Sequence, residues 1–163
     1  MNAAISPDPG SFQYLTFFVG AEEYGITILR IKEILEFSGA TRVPGTPPSV
    51  LGVINLRGRV VPVIDLAMKF GAARSDLTRR SCVVLVELET GGEKVIVGLL
   101  ADAVREVIDL SADAIEPPPA FGTRARTDFL QGVGRYADRF VLVLDIDRLL
   151  NAEEIEAPLV ATA

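Results

Sequence analysis

Gly25-Ile26-Thr27-Ile28-Leu29-Arg30-Ile31-Lys32-Glu33-Ile34-Leu35 has a counterpart, about 73 residues further on, in Gly98-Leu99-Leu100-Ala101-Asp102-Ala103-Val104-Arg105-Glu106-Val107-Ile108. The apolar, basic, acidic, apolar, apolar order of 31–35 returns in 104–108, and Pro44 and Pro117 keep the same offset. After about seven added residues around 121–127 the match resumes. Gly52-Val53 answers Gly132-Val133, and Val60-Val61-Pro62-Val63-Ile64-Asp65-Leu66 answers Phe140-Val141-Leu142-Val143-Leu144-Asp145-Ile146. The chain therefore reads as two copies of one β module of roughly 65 to 70 residues, with a break near 71–81. Closing each module as a small barrel of about five strands removes exposed strand edges. Units that small bury little alone, so a shared apolar interface is expected.

Local patterns agree. Runs rich in β-branched residues at 12–19 and 22–29 flank Gly20-Ala21, and runs at 50–56 and 60–64 flank Arg57-Gly58-Arg59. Pro62 cannot donate to a ladder, which places its strand at an edge or at a bulge. Another pair, 82–88 and 94–100, surrounds Gly91-Gly92, and 140–144 is a last strong strand. Helix is limited to short pieces at 66–70 and 146–151, each preceded by an aspartate, Asp65 or Asp145, suited to accept from free N–H groups. The fold class is mainly β, with residues 1–11 as a disordered N-terminal tail, 12–154 as one domain of two lobes, and 155–163 as a C-terminal tail.

Composition narrows function. Of 163 residues, 49% are hydrophobic and 23% charged, enough for a sizeable core. A net charge of −6 argues against a nucleic-acid partner, which needs a basic face. The segment 1–11 lacks the basic flank and apolar core of a secretory signal, so a cytoplasmic location is expected, with no membrane insertion. With no histidine, the commonest general base and metal ligand are missing, and the one cysteine, Cys82, reads as a buried core thiol. No enzyme activity, metal or cofactor is expected.

Arg57, at a hairpin turn, is either solvated or a fork positioned for a carboxylate on a partner or on the other lobe. Ile31, Glu33, Val43 and Val50 belong either to a strand or turn with one face in the core, or to an apolar stripe with a charge at its rim. Pro117-Pro118-Pro119-Ala120-Phe121 is a stiff connector, or it presents Phe121 to a partner.

Glu22-Glu23-Tyr24-Gly25-Ile26, Gly52-Val53-Ile54-Asn55-Leu56-Arg57-Gly58, Val61-Pro62-Val63-Ile64-Asp65-Leu66 and Phe70-Gly71 resemble the signature of the CheW family of chemotaxis coupling proteins. The likeness runs from about residue 12 to 154 and implies two SH3-like β barrels sharing a hydrophobic interface. It implies an adaptor that links the cytoplasmic hairpin tips of chemoreceptors (methyl-accepting chemotaxis proteins) to the regulatory domain of the histidine kinase CheA. By position, Ile31, Glu33, Gly52, Arg57, Val83 and Val104 fall where the family meets the receptor, and Phe121, with Glu116 and Ala120, where it meets the kinase. Glu116 and Ala120 depart from the basic-then-acidic pattern associated with that kinase contact. The output served could be flagellar, pili-based or another, and a peptide- or ligand-binding barrel without a kinase is the alternative outside the family.

Overall fold

Two hairpins, β1 (Ser11–Val19) with β2 (Glu22–Thr27) and β4 (Val50–Leu56) with β5 (Arg59–Asp65), bracket a 3₁₀ turn and the single strand β3 (Ile31–Glu36). After β5 come a one-turn helix, α1 (Leu66–Lys69), and a third hairpin, β6 (Cys82–Thr90) with β7 (Glu93–Ala101). The strand β8 (Ala103–Ser111), the short β9 (Ile115–Glu116) and the hairpin of β10 (Leu130–Tyr136) with β11 (Arg139–Leu144) follow. The helices α2 (Ile146–Leu149) and α3 (Ala152–Thr162) end the chain. This is a computed structural model, and it describes residues 11–118 and 128–162.

The strands form two sheets, ordered β8-β1-β2-β11-β10-β9 and β3-β6-β7-β5-β4. The expected class, a mainly β fold of two lobes with short helices, is what is found. The repeat is present, but a copy is not a lobe. Each sheet takes the first hairpin of one copy and the later strands of the other, so the break at 71–81 lies inside the β3–β7 lobe. The chain crosses between lobes at the 3₁₀ turn Ile28–Arg30 and at Asp102, between β7 and β8.

Register shows how closely the copies correspond. Each exchanged hairpin is joined by a parallel pair, Val63 beside Gly98 in one lobe and Val143 beside Gly25 in the other. Both glycines permit close packing: a Cβ on Gly98 would lie 2.6 Å from Val83 Cγ1 and force a shift, and one on Gly25 would lie a tight 3.0 Å from Val141 Cγ1. Bulges recur as well, at Lys32 and Arg105 on the lobe edges and at Leu51 and Gln131 beside the returning strands.

One face of each sheet closes on its own cluster. Tyr14, Ile108, Leu110, Val141 and Val143 fill one lobe, and Val61, Val63, Val83, Leu85 and Leu100 the other. The opposite faces meet in a larger shared core that includes Phe17, Ile26, Ile64, Val84, Leu99 and Leu149. Strand β6 shows the alternation, with Val83 and Leu85 facing inward and Val84 and Val86 facing the shared core. At about 1.5–3 kcal/mol for each large apolar side chain buried, this shared core is the main reason the lobes hold together.

Some expectations need correction. Strand β5 is internal, not an edge, but β7 pairs only with Val63–Asp65, so Pro62 sits just outside the parallel ladder and its missing N–H costs that ladder nothing. Residues 155–163 do not begin as a tail: α3 continues to Thr162, and Ile155 packs in the shared core. Ser11, assigned to the N-terminal tail, is the first residue of β1, and 1–10 lie outside the described residues.

Candidate functional site

The hairpin tip between β4 and β5 is built by two residues with positive φ, Arg57 (50°) and Gly58 (87°), the geometry of a type I′ turn. Asn55 Oδ1 accepts from Gly58 N at 2.8 Å and fixes the turn. Arg57 is thereby aimed at β3. Its Nη2 donates to both oxygens of Glu33, at 3.0 and 2.8 Å. This carboxylate belongs to the same lobe, neither to a partner nor to the other lobe as the sequence led one to expect. Since β3 and β4 are the two edges of their sheet, this pair spans the seam where the barrel closes. Thr41 and Val53 exchange backbone hydrogen bonds of 2.8 Å across the same seam. The Arg57 side chain remains 70% exposed, so the fork is held in place yet open to a partner. The neighbouring carboxylate raises the guanidinium pKa further.

Gly52 sits at the bulge in β4, and a Cβ there would lie 2.4 Å from the Thr41 carbonyl oxygen. Its place in the seam is set by close approach of two backbones. Ile31 and Val104, equivalent in the repeat, lie on different lobes, each half-buried against the shared core. They occupy the rim of the interface between lobes. Val83 differs: at 1% exposure it is a core residue of the β3–β7 lobe, so it cannot itself meet a partner and instead supports the seam from below. Val43 and Val50 are likewise buried and face the core, whereas Ile31 and Glu33 of the same group are half-buried. Cys82 is buried as expected, and burial pushes its thiol pKa up.

For the second surface, Glu116 lies on β9, exposed, and pairs with Arg135 at 3.0 Å. Ala120 and Phe121 lie outside the described residues.

Three polar assemblies were not anticipated. In the β1–β2–β8–β11 lobe, Arg139 bonds both Glu106 and Glu23, with 2.8 Å to Glu23, and Arg105 reaches Glu23 at 3.1 Å. Glu106 is the repeat counterpart of Glu33, so each barrel has an arginine from its returning hairpin on its edge-strand glutamate. Between the lobes, Arg30 donates to Asp147 at 2.8 and 3.2 Å and to the Glu87 carbonyl at 2.9 Å. That guanidinium holds the Asp147 carboxyl below its ordinary range. Under α3, the buried Glu154 takes Lys69 at 2.6 Å, Ser49 and the Asn151 N–H, while Asn151 Oδ1 accepts from Glu154 N at 2.9 Å. That reciprocal cap has a local signature, Asn followed three residues later by Glu, which was open to reading.

Among the described residues no group of three or more His, Cys, Asp or Glu is placed to hold a metal ion, and no helix is long and apolar enough to cross a membrane. The model of the CheW-like domain family matches residues 13–154. The chain is 38% identical over 143 residues to the chemotaxis protein CheW of Klebsiella aerogenes, covering 88% of this chain and 84% of that one. To the chemotaxis protein CheW of Helicobacter pylori it is 36% identical over 141 residues, 86% of this chain and 82% of that one. In structure it is similar to the scaffolding protein TtCheW of Thermoanaerobacter tengcongensis, with a TM-score of 0.77 and 33% identity over 88% of this chain and 97% of the other.

Proposed function

The chain belongs to the CheW-like domain family, and on that premise we propose that it is a chemotaxis adaptor without catalytic activity of its own. It couples the cytoplasmic hairpin tips of chemoreceptors to the regulatory domain of the histidine kinase CheA, working in the cytoplasm beneath receptor arrays. The observation that carries this reading is the family match over nearly the whole described chain. The receptor face consists of Ile31 and Val104 at the rim between lobes and the Glu33–Arg57 pair with Gly52 at the seam, with Val83 packed underneath. The kinase face includes Glu116 and extends to Ala120 and Phe121.

An adaptor of this kind changes kinase output only by binding receptor–kinase states unequally. Individual contacts can be modest, because repetition across an array raises effective concentration. The test uses the purified chain with the regulatory domain of CheA and, separately, with a receptor cytoplasmic fragment. Binding to both is expected. Arg57→Ala should keep its melting transition within a few degrees and retain kinase binding, while receptor binding falls about tenfold. A well-folded chain that binds neither protein would remove the adaptor reading. Unchanged receptor binding by Arg57→Ala would remove only the face.

A further inference from the structure

A cleft of about 980 Å³ opens where the β1–β2 turn meets the loop joining the two copies, and it shares no lining residue with the proposed receptor or kinase faces. Part of its lining is apolar, from Phe18, Ala67, Ala72 and Ala103. Arg74, Arg79 and Arg80 line it as well, and all three are exposed. None of the three forms an ion pair among the described residues, whereas Arg30, Arg57, Lys69 and Arg139 each do. Of the acidic groups in the lining, Asp102 is already engaged, accepting from Gly20 N at 2.7 Å, and Asp76 is exposed on the loop.

The loop that carries the arginines is anchored. Ser75 donates to the buried Asp65 through both its N–H (3.1 Å) and its hydroxyl (2.8 Å). Ala72 N donates to the Ala67 carbonyl at 2.8 Å, and Thr78 and Ser81 close a turn at 2.8 and 3.1 Å. A guanidinium on fixed backbone loses less freedom when it binds. In a chain of net charge −6, three unpaired cations beside one apolar cleft form a local reversal of sign. The chain as a whole is acidic and lacks the extended basic face that a nucleic-acid backbone needs. The apolar part of the lining beside three guanidiniums suits a short segment bearing both carboxylates and apolar side chains.

We propose that this cleft is an interaction surface for an acidic, partly apolar segment of a partner protein. The reading goes beyond the adaptor assignment and stands or falls without it. The probe is a fluorescein-labelled dodecapeptide of alternating Glu and Leu, with a twin in which every Glu is Gln, titrated with the full chain and read by anisotropy. The Glu peptide should bind about tenfold more tightly than the Gln twin, and its affinity should fall as salt is raised. Combined R74E, R79E and R80E should weaken it about tenfold or more, while R42E, R59E and K94E, the same change of charge elsewhere, should weaken it less than about threefold. Arg79→Glu alone serves if the triple variant does not fold, with a loss of about threefold expected. Equal loss in the two triple variants, or equal binding of the two peptides, would overturn the proposal. So would displacement by millimolar inorganic phosphate or by a single-stranded oligonucleotide as effective as that by unlabelled Glu peptide.

Discussion

At the scale of the residue, Asp65 and Asp145 show what a local signal conveys. Each caps a one-turn helix, Asp65 accepting from Ala67 N at 3.0 Å and Asp145 from Asp147 N at 3.1 Å. Capping depends on near neighbours, so both were legible in the sequence. The second role of Asp65 was not, because Ser75 reaches it through a loop whose path only the fold sets. Asp145→Ala should therefore cost about 1 kcal/mol, and Asp65→Ala about 2–3 kcal/mol, since it also strands buried donors. Urea melts of the two variants compare them directly, and equal losses would mean the Ser75 anchor contributes nothing. Val83 shows the reverse case. The resemblance puts it at a binding face, but alternation within β6 turns it into the lobe interior, and the run Cys82–Val86 is apolar on both faces, so that run alone does not say which face is which.

At the scale of the element, the 3₁₀ turn at Ile28–Arg30 ends β2 and steers the chain into the other lobe. Residues 22–29 read as one strand because apolar, β-branched side chains continue through the turn, and propensity gives no hint that Arg30 is anchored elsewhere. Its partner Asp147 has a lowered pKa, so the pair adds stability above the ordinary aspartate range and loses it as pH falls through the folded-state value. The effect is modest because Asp147 is two-thirds exposed. The gap in urea midpoint between the native chain and Asp147→Asn should be constant from pH 8 to about 5 and shrink below about pH 4. A gap independent of pH would show that the carboxylate charge is not what the contact uses. The helix α3 went unread because Pro158 and a weak apolar period hid it, although its Asn151–Glu154 cap was written plainly.

At the scale of the whole molecule, similarity revealed which segments are alike but not which of them pair. Two copies with the same pattern can close each on itself or exchange hairpins, and the hydrophobic period is the same in both arrangements. The exchange makes each lobe dependent on both copies. Fragments 12–71 and 82–154, prepared separately, should each lack a cooperative thermal transition and the near-native β signal in circular dichroism. Mixed in equal amounts they should recover both, with a midpoint that rises with concentration. A cooperative melt from either fragment alone would mean that one copy can complete a lobe.

The nested order of the strands also has a consequence in time. The β3–β7 lobe is continuous in the chain, whereas the β1–β2 hairpin finds β8 first and its β2 edge waits for β11, because Gly25 pairs with Val143. At a synthesis rate of about 5–20 residues per second, the hairpin leads its partner off the ribosome by roughly 6 to 24 seconds. One lobe is therefore born as a seed, and the other closes beside it only when the last strands emerge.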